Sequence, residues 1–140
     1  MSVKTPSAGD IDMAHDFFFL PVSKNATAAI TKGQIVSLKD GRPWQAGDRG
    51  PFGIANQNVT SGADMRGKIV IHGVVWVAAD GAISQFASVV PTDVDEVSQQ
   101  NGYAVTGSFV SGGTAYGGLL LGFMAFDATV NDGDLTRVDL

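Results

Sequence analysis

Turn-forming residues interrupt this chain roughly every ten positions, and no other feature limits its fold as tightly. From Phe17 onward the interruptions are Asp40-Gly41, Gly47–Gly50, Ser61–Asp64, Asp80-Gly81, Asn101-Gly102, Ser111–Gly113, Tyr116–Gly118 and Asn131–Asp134. Gly supplies positive φ at no steric cost, and Asn, Asp and Ser bond their own backbone, so each cluster reads as a turn. Short segments between regular turns are the signature of a small β-barrel or β-sandwich. Composition agrees: 18 glycines in 140 residues is nearly double the usual ~7%, and 16% charged residues falls below the usual ~25%. Both numbers argue against a helix bundle. The length predicts a single domain.

The segments themselves read as strands. Lys68–Ala79 (KIVIHGVVWVAA) is dense in Val and Ile, with Gly73 marking a bulge or a close backbone approach. Gln34–Leu38 runs into Asp40-Gly41, a hairpin-type turn. Phe17–Ser23 holds Pro21, which confines it to a sheet edge. Phe52–Val59, Ser84–Val90, Tyr103–Val110, Leu119–Phe126 and Leu135–Leu140 complete the set. Thr92–Gln100 is the one helical-turn candidate, with acids near its start. The fold class is all-β, with at most one short helix.

Residues 1–16 differ from the rest of the chain. MSVKTPSAGDIDMAHD has neither a helical nor a strand period, and its apolar residues are scattered at Val3, Ile11 and Met13. The segment is predicted to be a flexible N-terminal arm on a single β domain of residues 17–140. Such an arm is either a disordered tail or a segment that orders on a partner. It lacks the basic start and apolar stretch of a signal peptide. The longest apolar runs, Phe17–Leu20, Gly73–Ala79 and Gly117–Ala125, fall short of the ~20 residues of a membrane span. A soluble protein with no membrane partner is expected.

Charge and residue types exclude several chemistries. Nine basic against fourteen acidic residues give −5 and a pI near 4.6, unsuited to direct contact with nucleic acid phosphates. With no Cys there is no disulfide and no thiolate metal site. His15 lies in the arm, and His72, between Ile71 and Gly73, is expected to be a partly buried strand residue with a satisfied hydrogen bond. No G-x-S-x-G occurs, and Ser61 and Ser111 sit in turns. Asp93, Asp95 and Glu96 read as a solvated helix start; Asn131, Asp132 and Asp134 read as a tight turn. Gly107, Gly112 and Gly113 form no phosphate-binding motif. The sequons at Asn25 and Asn58 carry meaning only on a secreted chain. The chain is not read as an enzyme, and no catalytic, metal or cofactor-binding residue is assigned.

Aromatic and aliphatic residues are more informative. Phe17, Phe18 and Phe19 are consecutive, so in an extended chain they cannot share one face. At least one points away from any core the others build, and aromatics are enriched at interfaces. Leu119–Phe126 is apolar on both faces. A small barrel has limited interior, so strands apolar on both faces point to subunit association or to burial on both sides.

The order of these features resembles one family. After the polar arm come Ile30-Thr-Lys-Gly-Gln-Ile-Val-Ser-Leu38, then Trp44, then Gly50-Pro-Phe-Gly-Ile-Ala55. Gly67-Lys-Ile-Val-Ile-His-Gly-Val-Val-Trp-Val-Ala78 comes next, and the chain closes with Leu121–Ala125 and Asn131–Leu140, the latter containing Gly-Asp-x-x-x-Val-x-Leu. Over residues 28–140 this pattern resembles the capsid cement, or decoration, proteins of tailed bacteriophages and related viruses. The stretch Gln85–Gly118 departs from it.

The resemblance implies a β-tulip-like barrel or sandwich with an extended arm, no cofactor and no catalysis. It implies a homotrimer on the outer surface of an icosahedral virion, made in the host cytoplasm. There it would bind at three-fold and quasi-three-fold sites, clamping neighbouring major capsid protein subunits. Under it, Val3, Ile11, Met13 and Phe17 are expected to touch the capsid through the arm. Trp44, Phe52 and Trp76 are expected to lie either at trimer contacts or in the core. The competing expectation is a virion-associated or carbohydrate-binding β module, such as a head fibre base or tail-associated domain.

Overall fold

The computed structural model describes residues 5–45, 48, 50–79, 85, 88–91, 104–106, 110–111, 114–115, 123–125, 131 and 134–140. Among them every regular element is a strand, as the turn spacing predicts. The helical turn expected at Thr92–Gln100 lies outside the described residues.

The first sheet holds β1 (Phe18–Phe19), β2 (Ile35–Ser37), β3 (Arg42–Pro43), β4 (Phe52–Ala55) and β5 (Ile69–His72). Its order is β1-β5-β4-β2-β3, antiparallel throughout. Asp40-Gly41 makes the β2–β3 hairpin, with Val36 opposite Pro43 and Ser37 opposite Arg42. Among the described residues β1 lies at the edge of the sheet, as expected for the Phe17–Ser23 segment, although the strand ends at Phe19, before Pro21. The second group comprises β6 (Val74–Ala79), β7 (Ser88–Pro91), β8 (Ala104–Thr106), β11 (Phe123–Ala125) and β12 (Leu135–Asp139). Its pairings run β11-β12-β6-β8-β7, and β7 also pairs with β11, so the ring of hydrogen bonds closes. The β6–β8 pair is parallel. A separate hairpin joins β9 (Val110–Ser111) to β10 (Thr114–Ala115).

Two-sided burial is satisfied inside one chain for the first sheet. Val36, Ala55 and Ile69 join a cluster with Leu20, Ala26, Ile30, Val59 and Met65. Their strand neighbours Ile35, Ile54 and Val70 point to the opposite face and have 0% exposure. Trp44 is also enclosed, at 1% exposure, its ring edge-on to Phe52 at 5.6 Å. Of the two readings offered for Trp44, the structure gives core, because its own chain already covers the indole.

The long apolar segment 68–79 is two strands rather than one. It breaks at Gly73, which has φ +127° and carries the chain from β5 in the first sheet to β6 in the ring. A Cβ there would stand 2.7 Å from Phe17 Cβ and 3.0 Å from the Asp16 carbonyl. The sequence reading of a close backbone approach therefore holds, and the neighbour is the end of the arm. The Leu140 N–H also donates to the Gly73 carbonyl at 2.9 Å.

Two substitutions test this geometry. Trp44→Ala should lower unfolding free energy by about 3–5 kcal/mol in urea titrations, since the removed volume is fully enclosed. Gly73→Val should cost about 1–3 kcal/mol, from positive φ and the Phe17 clash together. A Gly73→Val midpoint equal to wild type would contradict the corner geometry.

Candidate functional site

The arm lies against the body. Where composition predicts a free tail, residues 9–12 run antiparallel to β6. The Gly9 N–H donates to the Trp76 carbonyl (2.8 Å), the Trp76 N–H to the Asp10 carbonyl (2.9 Å), and the Asp12 N–H to the Val74 carbonyl (2.8 Å). Ile11 faces Val75 across this pair. The expectation of a flexible arm is therefore corrected over these residues: the β6 edge between Val74 and Trp76 gives their N–H and C=O groups partners. Val3 lies outside the described residues.

Side chains fix the arm's position. Asp10 bonds the Lys32 ammonium, which also reaches Ser7 Oγ at 3.3 Å. Asn56 Nδ2 donates to the Gly9 carbonyl at 2.9 Å. Gly9 has φ +90°, and a Cβ on it would lie 2.5 Å from the Ala55 carbonyl oxygen and 2.7 Å from the Gly33 nitrogen. Arg137 Nη1 donates to Asp12 Oδ2 at 3.2 Å, and its guanidinium lies 5.3 Å from the Trp76 ring centroid. The Ala14 N–H, at 3.1 Å from Oδ1, holds the Asp12 carboxyl below its ordinary range. Arg137 and nearby His15 add to that shift against partial burial.

Between arm and β1 opens a groove of about 640 Å³. Its apolar wall is Pro6, Ile11, Met13, Phe17, Phe19 and Trp76, and its polar side is Asp10, Asp12 and Asn56. The structure thus brings together three of the residues assigned to the arm contact, Ile11, Met13 and Phe17, and adds Trp76 from the second set. Phe17 and Phe19 meet edge to face at 5.8 Å. Phe18 points the other way, as alternation requires, and packs at 5.5 Å on His72. His72 is exposed at the end of β5, so the expectation of a partly buried imidazole is corrected. Phe52 is half-buried beside Trp44.

Met13 (72%), Phe18 (62%) and Val22 (60%) are the large apolar residues most open to solvent among the described residues. Phe18 is in the edge strand β1, and Met13 and Val22 lie before and after it in the chain. The opposite edge is protected differently. β3 ends in Pro43, which has no N–H to offer, and Arg42 there bonds Asp48 at 2.7 and 3.0 Å and Asp40 at 3.2 Å. Asp48 raises the Arg42 pKa above its ordinary value.

This geometry supports binding. The groove's carboxylates are paired with cationic side chains, Asp10 with Lys32 and Asp12 with Arg137. No group of three or more His, Asp or Glu side chains among the described residues could hold a metal ion. Asn131 and Asp134 form the turn expected of them, with the Asn131 N–H donating to Asp134 Oδ2 at 2.9 Å and the Asp134 N–H to the Asn131 carbonyl at 3.1 Å. Asp93, Asp95 and Glu96 lie outside the described residues.

Sequence reading missed Asp10, Asp12, Lys32 and Arg137. The available signal was the Asp-x-Asp spacing, which places both carboxylates on one face of an extended segment.

Acid should loosen this region with a definite sign. Asp12 and Asp64 both titrate below the ordinary 3.8 in the folded chain; for Asp64 the cause is the Ser23 hydroxyl, then the Arg66 and Lys24 N–H groups. Carboxyls shifted this way contribute stability above their unfolded pKa, and that contribution is lost as pH falls through the lower folded value. Melting temperature should therefore drop as pH falls below 3.8, and Asp12→Asn should flatten part of that drop while lowering stability at pH 7. An acid limb identical to wild type in Asp12→Asn would show that Asp12 has no part in the drop.

Compared with protein-family models, with curated proteins and with solved structures, the chain matches none.

Proposed function

We propose that this chain is a structural virion protein, a capsid cement that binds the outside of an icosahedral shell as a homotrimer at three-fold and quasi-three-fold sites. It clamps neighbouring major capsid protein subunits. The reading rests first on the resemblance of residues 28–140 to that family. The observation that carries it on this chain is the exposure of three large apolar side chains close together in sequence, Met13 and Val22 on either side of the edge strand β1 and Phe18 within it. Exposed apolar side chains in and next to an edge strand offer a surface for another protein to cover.

The physics of reinforcement comes from selective binding. A ligand of the assembled shell that ignores free subunits stabilises the shell by mass action. A seam between subunits exists only after assembly, which supplies that selectivity. A closed trimer presents the same surface three times, and multivalency raises avidity without new contacts.

The groove favours a second reading, a carbohydrate-binding virion module. The rings of Trp76, Phe17 and Phe19 beside Asn56, Asp10 and Asp12 combine stacking surface with hydrogen-bonding groups. Tryptophan emission that shifts on titration with oligosaccharides would support this reading.

Binding to expanded shells of the encoding virus tests the first. The protein should saturate them at a fixed stoichiometry and raise their melting temperature. Phe18→Asp should weaken binding by about tenfold or more while leaving the free protein's unfolding nearly unchanged. Shells that take up no protein would end the cement reading. Equal binding by Phe18→Asp would remove Phe18 from it.

A further inference from the structure

We infer that the β6 edge from Val74 to Trp76 is a strand-acceptor site, and that residues 7–12 of a second copy of this chain can occupy it in place of the chain's own arm. The partner is therefore another copy, and the surface is the arm cradle. Arm exchange of this kind needs no viral shell.

The resident arm establishes the fit. Its hold consists of main-chain bonds to Trp76 and Val74, the Asn56 amide on the Gly9 carbonyl, and the ion pairs Asp10–Lys32 and Asp12–Arg137. Each of these joins arm to body, and none requires that the two belong to one molecule. The cradle is selective. Gly33 has φ +92°, and the Ala8 carbonyl oxygen would stand 2.9 Å from any Cβ on it. Gly9 is crowded by Ala55 and Gly33 in the same way. Only a segment with glycine at this position, followed by acids two residues apart, meets both the close approach and both cations. The chain's own Ser7–Asp12 is such a segment.

The connection permits exchange. Met13, Ala14, His15 and Asp16 are all exposed. The Ala14 and His15 N–H groups both bond back to Asp12. The next main-chain anchors on the body are the pairing of β1 with β5 and the Leu20 N–H on the Ile69 carbonyl. Four residues extended span roughly 13–14 Å, a reach that can carry the arm onto an adjoining body. Own-arm and exchanged pairing contain the same contacts. Their balance is then set by hinge strain and by the effective concentration of the neighbouring edge. Exchange around a closed ring leaves every acceptor edge filled and every arm placed.

The native sequence contains no Cys, which gives a direct test. Ile11 and Val75 form a non-hydrogen-bonded antiparallel pair, a class with Cα atoms about 4.5 Å apart, within the ~4.4–6.8 Å of disulfides. The double variant Ile11→Cys, Val75→Cys is unfolded, refolded at high and at low protein concentration, oxidised and run on a non-reducing denaturing gel. At high concentration the main band should shift from one chain to two and three chains and return to one on reduction. At low concentration the bridge should close within one chain. A bridge confined to one chain at every concentration would overturn the inference. Because Val75 is buried, a second pair keeps the test open. Asp12→Arg and Arg137→Asp each mismatch their own cradle but complement each other. Refolded together they should form a mixed oligomer absent from either alone; a mixture eluting as the sum of its parts would also overturn the inference.

Discussion

A chain that leaves one sheet and enters another must bend where no side chain can stand, and the structure hangs on that bend at Gly73. The residue sits between β5 and β6 with φ +127°. Phe17 fills the space a Cβ would take, and the last residue, Leu140, bonds its carbonyl. Phe17, where the arm ends, and Leu140 thus converge where the first sheet meets the ring of strands. The arm's course beside β6, the seat of Phe17 and the groove all stem from this corner.

The arm adds a second tie between the two groups of strands. Its backbone completes the edge of β6, while its side chains reach Lys32, just before β2, and Arg137 on β12. The ion pairs are partly exposed and contribute modestly, about 0.2–1 kcal/mol each for pairs of this kind. Register comes instead from the backbone: Gly9 has to lie against Gly33 and Ala55, where any Cβ collides with main-chain atoms. Polar pairing at the arm and apolar exposure at β1 lie side by side. One mates with a surface the chain already has, and the other faces outward.

The two edges of the first sheet show contrasting treatment of unpaired backbone. At β3, Pro43 removes a donor and Arg42 gathers Asp40 and Asp48 around a charge. At β1, Phe18 and nearby Val22 stay bare. Covering Arg42 would require desolvating a charged network, whereas covering Phe18 removes apolar area from water. This asymmetry gives the proposed cement role a definite face.

The sequence by itself determined the strand content, the β2–β3 hairpin at Asp40-Gly41, the edge position of the strand in Phe17–Ser23 and the outward turn of one phenylalanine among Phe17–Phe19. These are local consequences of turn chemistry and of the two-residue period, which act over a few residues. Only the tertiary structure decided that Trp44 is core, that segment 68–79 is split between two sheets, that His72 is exposed and that the polar arm lies on β6. Each of those depends on partners far away in sequence: Phe52 for Trp44, Phe17 for Gly73, and Trp76 with Arg137 for the arm. Periodicity says which face a residue takes. What stands opposite that face is set by chain crossings, and no local pattern encodes them.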